Sequence, residues 1–289
     1  PDPTNPAIRT VPSHLYSNIT NWPRAASQFC DNQIISCNDS PIKYGWFDFD
    51  GDGDLDYAVA GSVFRQVDGV IEGISSWSDG CISFCGNGIA VSDYNRDGNM
   101  DLSTSKGIYL SYENGLSQEP EWEYPVDLGV TVVEIDWFDL DKDGHDDVYI
   151  GTAGDTDILR MSNGGGVSTG YSVNMSKSGI TADVRLVDMD GDSWVDIVRL
   201  LNNGGFDVFY NHNGAFSNVS NFSSGVIPSS SGMDVGDFDA DGEIDIAIST
   251  RNNKEDYIYR NNITTSNREY TMDWNSLDGS DSSNVVAGD

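Results

Sequence analysis

A chain of 289 residues with 38% hydrophobic content is long enough for one large domain or two ordinary ones around a substantial core. Fifteen basic against 47 acidic residues give a net charge of −32, which argues against nucleic acid or an anionic membrane as partner and suits a secreted protein or one from a salty habitat. No stretch of 18 or more apolar residues occurs, so no segment reads as a membrane-spanning helix, and the start at Pro1-Asp2 fits a processed product.

Residues 1–43 hold one strand-like stretch, His14 to Asn18, and the first of two close cysteine pairs, Cys30 with Cys37. The second pair is Cys81 with Cys85. Local disulfides are the first expectation, although four cysteines allow three connectivities; the spacing is wrong for zinc and no histidine is adjacent. From residue 44 onward a unit recurs. Apolar stretches Tyr44 to Phe47, Ile89 to Val91, Ile135 to Phe138, Val184 to Val187 and Met233 to Val235 each run into an acidic nonamer of the form D-x-[DN]-x-D-[GS]-x-x-D. β-branched stretches follow four of the nonamers, at Leu55 to Ala60, Val148 to Ile150, Val195 to Val198 and Ile244 to Ile248. Short aromatic and β-branched runs bounded by Gly, Asn and Asp predict strands, so each acidic loop joins two strands. A further strand and turn recur in phase at Ile108 to Gly115, Ile158 to Gly164, Phe206 to Gly214 and Tyr257 to Asn262.

The nonamers begin at Asp48, Asp93, Asp139, Asp188 and Asp237, a period of 45 to 49 residues. Four strands per period of that size are the make-up of a propeller blade. The expected fold is therefore all-β, a single β-propeller domain over 1–289 with repeats at about 44–88, 89–133, 134–183, 184–232 and 233–284. Val285 to Asp289 resembles Met233 to Asp237, so residues 285–289 and 1–43 are expected to share a composite sixth blade that leaves no free edge. A fragment of a seven-bladed chain is the alternative.

Oxygen side chains on alternate residues, a Gly for the turn and a closing carboxylate make an oxygen cage suited to Ca²⁺, whereas Mg²⁺ keeps its waters and takes few protein ligands. The candidate ligands at positions 1, 3, 5 and 9 are Asp48, Asp50, Asp52 and Asp56; Asp93, Asn95, Asp97 and Asp101; Asp139, Asp141, Asp143 and Asp147; Asp188, Asp190, Asp192 and Asp196; Asp237, Asp239, Asp241 and Asp245. Position 7 offers its backbone carbonyl, at Asp54, Asn99, His145, Trp194 and Glu243. An EF-hand would need Glu at position 12, where this chain never has one. Five Ca²⁺ ions are expected, and they would leave a charge of about −22. Asn18, Asn38, Asn174, Asn218, Asn221 and Asn262 stand in N-glycosylation sequons.

The pattern of small or apolar residues, then Asp-Phe-Asp-x-Asp-Gly-x-x-Asp-Ile/Leu, then an apolar strand resembles the FG-GAP/VCBS repeat family, which includes the integrin α-chain propeller. The likeness runs from residue 44 to 289. It implies a Ca²⁺-binding β-propeller with the ligands already assigned. Asn95 and Ser193 depart from the common pattern: Asn95 gives up one charge, and Ser193 must take a turn conformation easier for Gly, which makes loop 4 the most doubtful site.

No catalytic pattern stands out. The three histidines, His14, His145 and His212, sit at unrelated points of the repeat, and the acid pairs Glu121 with Glu123 and Glu255 with Asp256 read as solvated charge. The expected role is adhesion or recognition rather than catalysis, with a protein or glycan ligand on a cell surface or matrix, or self-assembly into a surface structure. A propeller belonging to a polysaccharide-active enzyme, such as a lyase, is the alternative. Trp77, Trp122 and Trp274 fall in the irregular outer parts of repeats and are the candidate stacking platforms for sugar rings, with a packing role the first reading of each.

Overall fold

A computed structural model describes residues 44–59, 61–80, 88–112, 115–123, 131–154, 156–162, 170–263, 268–277, 279, 282 and 285. The described residues contain no helix. They form five four-stranded antiparallel sheets in which strands one to four lie side by side in chain order; in sheets 1 and 2 a two-stranded hairpin, Gln66–Val67 with Val70–Ile71 and Ser111–Tyr112 with Gly115–Leu116, is inserted between strands three and four. Sheet 1 runs from Tyr44–Phe47 to Trp77–Ser78, and sheet 2 from Ile89–Ser92 to Trp122–Glu123. Sheet 3 runs from Val132–Phe138 to Tyr171–Ser176, sheet 4 from Thr181–Val187 to Phe222–Ser223, and sheet 5 from Ser230–Gly236 to Arg268–Asn275. The first strands of sheets 3, 4 and 5 start two to three residues ahead of the expected repeat boundaries. Each carries a register shift near its start, at Val132/Glu134, Thr181/Asp183 and Ser230/Gly232.

First strands of successive sheets pack against one another in the order 1 to 5, which places them on the inner side of a fan. The second strands are covered on both faces: Asp101–Thr104, Asp147–Thr152, Asp196–Leu201 and Asp245–Thr250 are buried along their whole length. Such strands read as near-continuous apolar runs instead of alternating ones, as Ile197, Val198, Leu200 and Leu201 do. The core is accordingly a series of interfaces. Phe47, Ala58 and Val63 of sheet 1 meet Ile89, Leu102 and Tyr109 of sheet 2, and Val198, Leu200 and Phe206 of sheet 4 meet Met233, Ile246 and Ile248 of sheet 5.

Charge is buried between sheets 3 and 4. Asp157 accepts hydrogen bonds from Tyr149, Thr181 and Arg199 and pairs with Lys177, while Arg199 also pairs with Asp207. Two cations against two carboxylates leave the cluster neutral, the condition under which buried ions are tolerated.

Some expectations fall on other parts of the chain. Cys30, Cys37, Cys81 and Cys85, and with them the local disulfides expected between Cys30 and Cys37 and between Cys81 and Cys85, lie outside the described residues. So do the sequons Asn18 and Asn38, the whole of residues 1–43, and all but Val285 of the expected C-terminal part of a composite blade.

Candidate metal centres

In every sheet the acidic loop joins strands one and two, so all five loops sit at the same end of their sheets. Their internal bonding is nearly identical. The position 1 carboxylate accepts the N–H of position 6, at 2.9 Å in Asp48, 3.0 Å in Asp93, Asp139 and Asp237, and 2.8 Å in Asp188. The position 5 carboxylate accepts the N–H of position 7 at 2.8–2.9 Å. To aim these amides inward, the chain turns left-handed twice. Position 6 has φ between +73° and +94° at Gly53, Gly98, Gly144, Ser193 and Gly242. Position 4 has φ between +58° and +77° at Gly51, Arg96, Lys142, Gly191 and Ala240. Only position 6 announces this in the sequence, because three of the five residues at position 4 are not glycine. For Ser193 the expectation of a strained turn holds: it sits at φ +73° and still donates its N–H to Asp188.

Position 9 does something the sequence did not disclose. One of its oxygens accepts the N–H of position 2 in the same loop, at 2.7 Å from Phe49 to Asp56, 2.8 Å from Leu140 to Asp147 and 2.8 Å from Met189 to Asp196. The other accepts an N–H from just beyond strand three or late within it: Gln66, Ser111, Ser162, Asn211 and Asn261 in loops 1 to 5, at 2.7–3.0 Å. The closing carboxylate thus fastens its loop to a third strand 10 to 16 residues downstream. It is fully buried in loops 1, 3 and 4. Burial pushes its pKa up to about 6 in Asp56 and Asp101 and to about 7 in Asp147 and Asp196, an effect that the two amide hydrogen bonds only partly offset. A cation alongside would favour the charged form.

In four loops, positions 1, 3 and 9 converge. Asp48, Asp50 and Asp56; Asp139, Asp141 and Asp147; Asp188, Asp190 and Asp196; and Asp237, Asp239 and Asp245 each bring three oxygens within 4.8 Å of one another. Two oxygens sharing one Ca²⁺ at about 2.4 Å can lie at most about 4.8 Å apart, so these sets fit a single ion. Two further observations fit. Asp50 Oδ1 and Asp139 Oδ1 are buried without a hydrogen-bond donor, and every atom of the converging set is a hard oxygen. Asp48, Asp50 and Asp56 and their equivalents would hold the ion, which would supply charge compensation and a link between the loop and strand two. Loop 2 is built differently: the amides of Asn95 and Asn99 both donate to Asp97, so this loop satisfies its carboxylate internally. Loop 4, with Ser193, brings its carboxylates together as loops 1, 3 and 5 do.

Several of the few basic residues reach these loops. Arg65 meets the position 3 carboxylate Asp50 at 2.5 Å, and Arg260 pairs with the equivalent Asp239. Lys142, at position 4 of loop 3, donates to the Ser193 carbonyl of loop 4 at 2.7 Å and covers the Trp194 ring at 4.0 Å.

The three candidate tryptophans part ways. Trp77 is 5% exposed, edge-on to Tyr109, and donates its indole N–H to the Ser117 carbonyl; it is core, not a stacking platform, because its short strand is capped by the neighbouring sheet. Trp122 is half-buried against the core between sheets 2 and 3. Trp274, on the outer strand of sheet 5, is 49% exposed. Among the sequons, Asn174, Asn218 and Asn221 are exposed, while the Asn262 amide donates to Arg260 and Thr271.

The sequence profile of the FG-GAP-like repeat matches residues 139–199 and 188–248, so this part of the chain carries FG-GAP-like repeats. Comparison with curated proteins gives no match. Among solved structures, the chain is similar to BBS1N in complex with ARL6DN, soaked with mercury, at 13% identity over 82% of this chain and 67% of that one, with a TM-score of 0.51. The lead-soaked form of that complex gives 12% identity over 82% and 68%, with a TM-score of 0.51. The biofilm matrix protein Bap1 of V. cholerae matches at 11% identity over 76% and 60%, with a TM-score of 0.45. At these identities the likeness concerns the fold alone: all-β, of propeller type.

Asp196→Ala should destabilise the chain by about 3–5 kcal/mol in urea denaturation, because it leaves two buried amides without an acceptor. Asp192→Asn, at an exposed position, should change stability in chelator by less than about 0.5 kcal/mol. Ser193→Gly, which relieves a left-handed serine, should stabilise by about 0.5–1 kcal/mol in the same assay.

Proposed function

We propose that this chain is an extracellular, calcium-stabilised β-propeller that acts as an adhesion or recognition module, its ring completed as six blades by residues 285–289 and 1–43. The observation that carries the reading is the convergence of three carboxylates in loops 1, 3, 4 and 5, at separations matched to one hard cation. At −32 the bare chain is a strongly self-repelling polyanion, and a divalent ion in each loop removes the densest part of that charge.

A recognition role is supported by a cavity of about 360 Å³ on sheet 4, lined by hydroxyl, amide and carboxylate groups including Ser178, Asn203, Asp207, Asn218 and Ser220. The turn between strands two and three, at the end of the sheet opposite the acidic loops, lines one side of it through Asn203, Gly204 and Gly205. Asp207 is held in place there by Arg199 and by the Ser223 hydroxyl. Clustered, pre-oriented hydroxyls and amides suit a neutral polyhydroxylated ligand such as a glycan unit.

Calcium removal tests the first part. One site held at a hundred times its dissociation constant adds about 2.7 kcal/mol, so several sites should raise the melting temperature by about 10 °C or more over chelator. Four ions per chain, one in each of loops 1, 3, 4 and 5, should be retained on equilibrium dialysis, with Mg²⁺ a poor substitute, and a fifth would place an ion in loop 2 as well. An unchanged melt and no retained ion would remove the calcium reading. For the cavity, saturable binding of an oligosaccharide without product is expected. The double variant Ser178→Ala/Ser220→Ala should weaken it about three- to tenfold. Release of shortened chains would instead make the protein an enzyme.

A further inference from the structure

We infer that Asn211 and Asn261 couple neighbouring acidic loops, so that ordering one loop prepares the next; the inference rests on the calcium reading of those loops. Asn211 lies just past the third strand of sheet 4 and Asn261 within that of sheet 5. Each is 1% exposed. Each faces two loops at once. The backbone N–H of Asn211 holds Asp196 of its own loop 4 at 2.8 Å, while its side-chain Nδ2 donates to the carbonyl of Leu140, position 2 of loop 3, at 2.8 Å. Asn261 repeats this one sheet further on: its N–H holds Asp245 of loop 5 at 3.0 Å, and its Nδ2 donates to the carbonyl of Met189, position 2 of loop 4, at 2.8 Å.

Position 2 closes the circuit, because its N–H is the one held by the position 9 carboxylate. The result is an unbroken run of hydrogen bonds across three sheets: Asp147 to Leu140, Leu140 to Asn211, Asn211 to Asp196, Asp196 to Met189, Met189 to Asn261, Asn261 to Asp245, and Asp245 to Phe238. The position 2 side chains reinforce it, since Leu140 is buried in the core cluster shared by sheets 3 and 4 and Met189 in the one shared by sheets 4 and 5. In a buried run every member is fixed by the two beside it, and a lost partner leaves an unsatisfied polar group. A cation that fixes position 9 of loop 4 therefore fixes position 2 of that loop, and through Met189 and Asn261 the closing carboxylate of loop 5. Coupling of this kind is reciprocal. Asn261 is a positioning residue in this scheme: its Nδ2 bonds to a carbonyl and not to the loop carboxylates.

The test uses the full chain and terbium as a luminescent stand-in for Ca²⁺. Trp194 at position 7 of loop 4 sensitises that site, and the emission lost in Trp194→Phe identifies its share. Asp239→Asn impairs loop 5. In the parent chain this change should weaken terbium binding at loop 4 by about fivefold or more, within the usual range of coupling between sites. The link is then cut with Asn261→Ser, a residue that already stands at the equivalent point as Ser111 and Ser162. On that background Asp239→Asn should leave loop 4 unchanged, and Asn261→Gln should restore part of the coupling. Retention of the full fivefold effect in Asn261→Ser, or no effect of Asp239→Asn in the parent chain, would overturn the coupling while leaving the calcium reading intact. Failure of the parent chain to retain any ion would overturn both. Melts of each variant in chelator verify folding, and if Asn261→Ser proves unstable, the same cycle is run with Asn211→Ser and Asp141→Asn.

Discussion

The structure depends on one bond pattern, a buried aspartate with an amide on each oxygen. In every loop the position 9 carboxylate takes one N–H from the loop and another from the third strand or its end. A hydrogen bond to a charged acceptor is worth more than a neutral one, and its loss strands a buried donor. This carboxylate is therefore what makes four short strands a unit. Sheets whose fourth strand is only two residues long, such as those ending at Trp77–Ser78 and Phe222–Ser223, gain little from that edge and rely on the interior fastening.

That fastening has an electrostatic cost that sets the rest of the chemistry. Placing a carboxylate in the interior, with two or three more a few ångströms away, raises its pKa toward neutrality. The chain meets this cost in two ways. Arg65 and Arg260 reach back to the position 3 carboxylates of loops 1 and 5. Loops 3 and 4 share Lys142, which spans from one to the carbonyl of the other. With only 15 basic against 47 acidic residues, most of the acidic charge has no match within the chain, which is the setting for the proposed cations.

The repeat and the acidic loops were legible because both are chemical statements: carboxylates at fixed spacing, followed by β-branched runs. The glycine or serine at position 6 also disclosed its left-handed turn. The second left-handed residue was not legible, since Arg96, Lys142 and Ala240 occupy a conformation they do not advertise. For Trp77 the sequence left packing and stacking both open, and burial settles it as packing. Its position in an irregular stretch allowed exposure, but burial is decided by the neighbouring sheet, which local sequence does not describe. The pairing of Lys177 and Arg199 with Asp157 joins residues of two repeats and, among the described residues, has no ion-paired counterpart in the other repeats to draw attention to it.

Asn211 and Asn261 show the same limit from the other side. Each lies 15 or 16 residues after the aspartate it serves, where Asn reads as an ordinary turn residue. Periodicity puts both at equivalent points, yet Gln66, Ser111 and Ser162 stand there in the first three sheets. The backbone task at that point, an N–H for the closing carboxylate, is indifferent to side chain, so any residue except proline serves. The cross-sheet task needs a donor long enough to reach the preceding loop, and the carboxamide meets it in sheets 4 and 5. A repeat protein can in this way keep one backbone pattern in every unit and still vary, through a single side chain, how firmly each unit is tied to its neighbour.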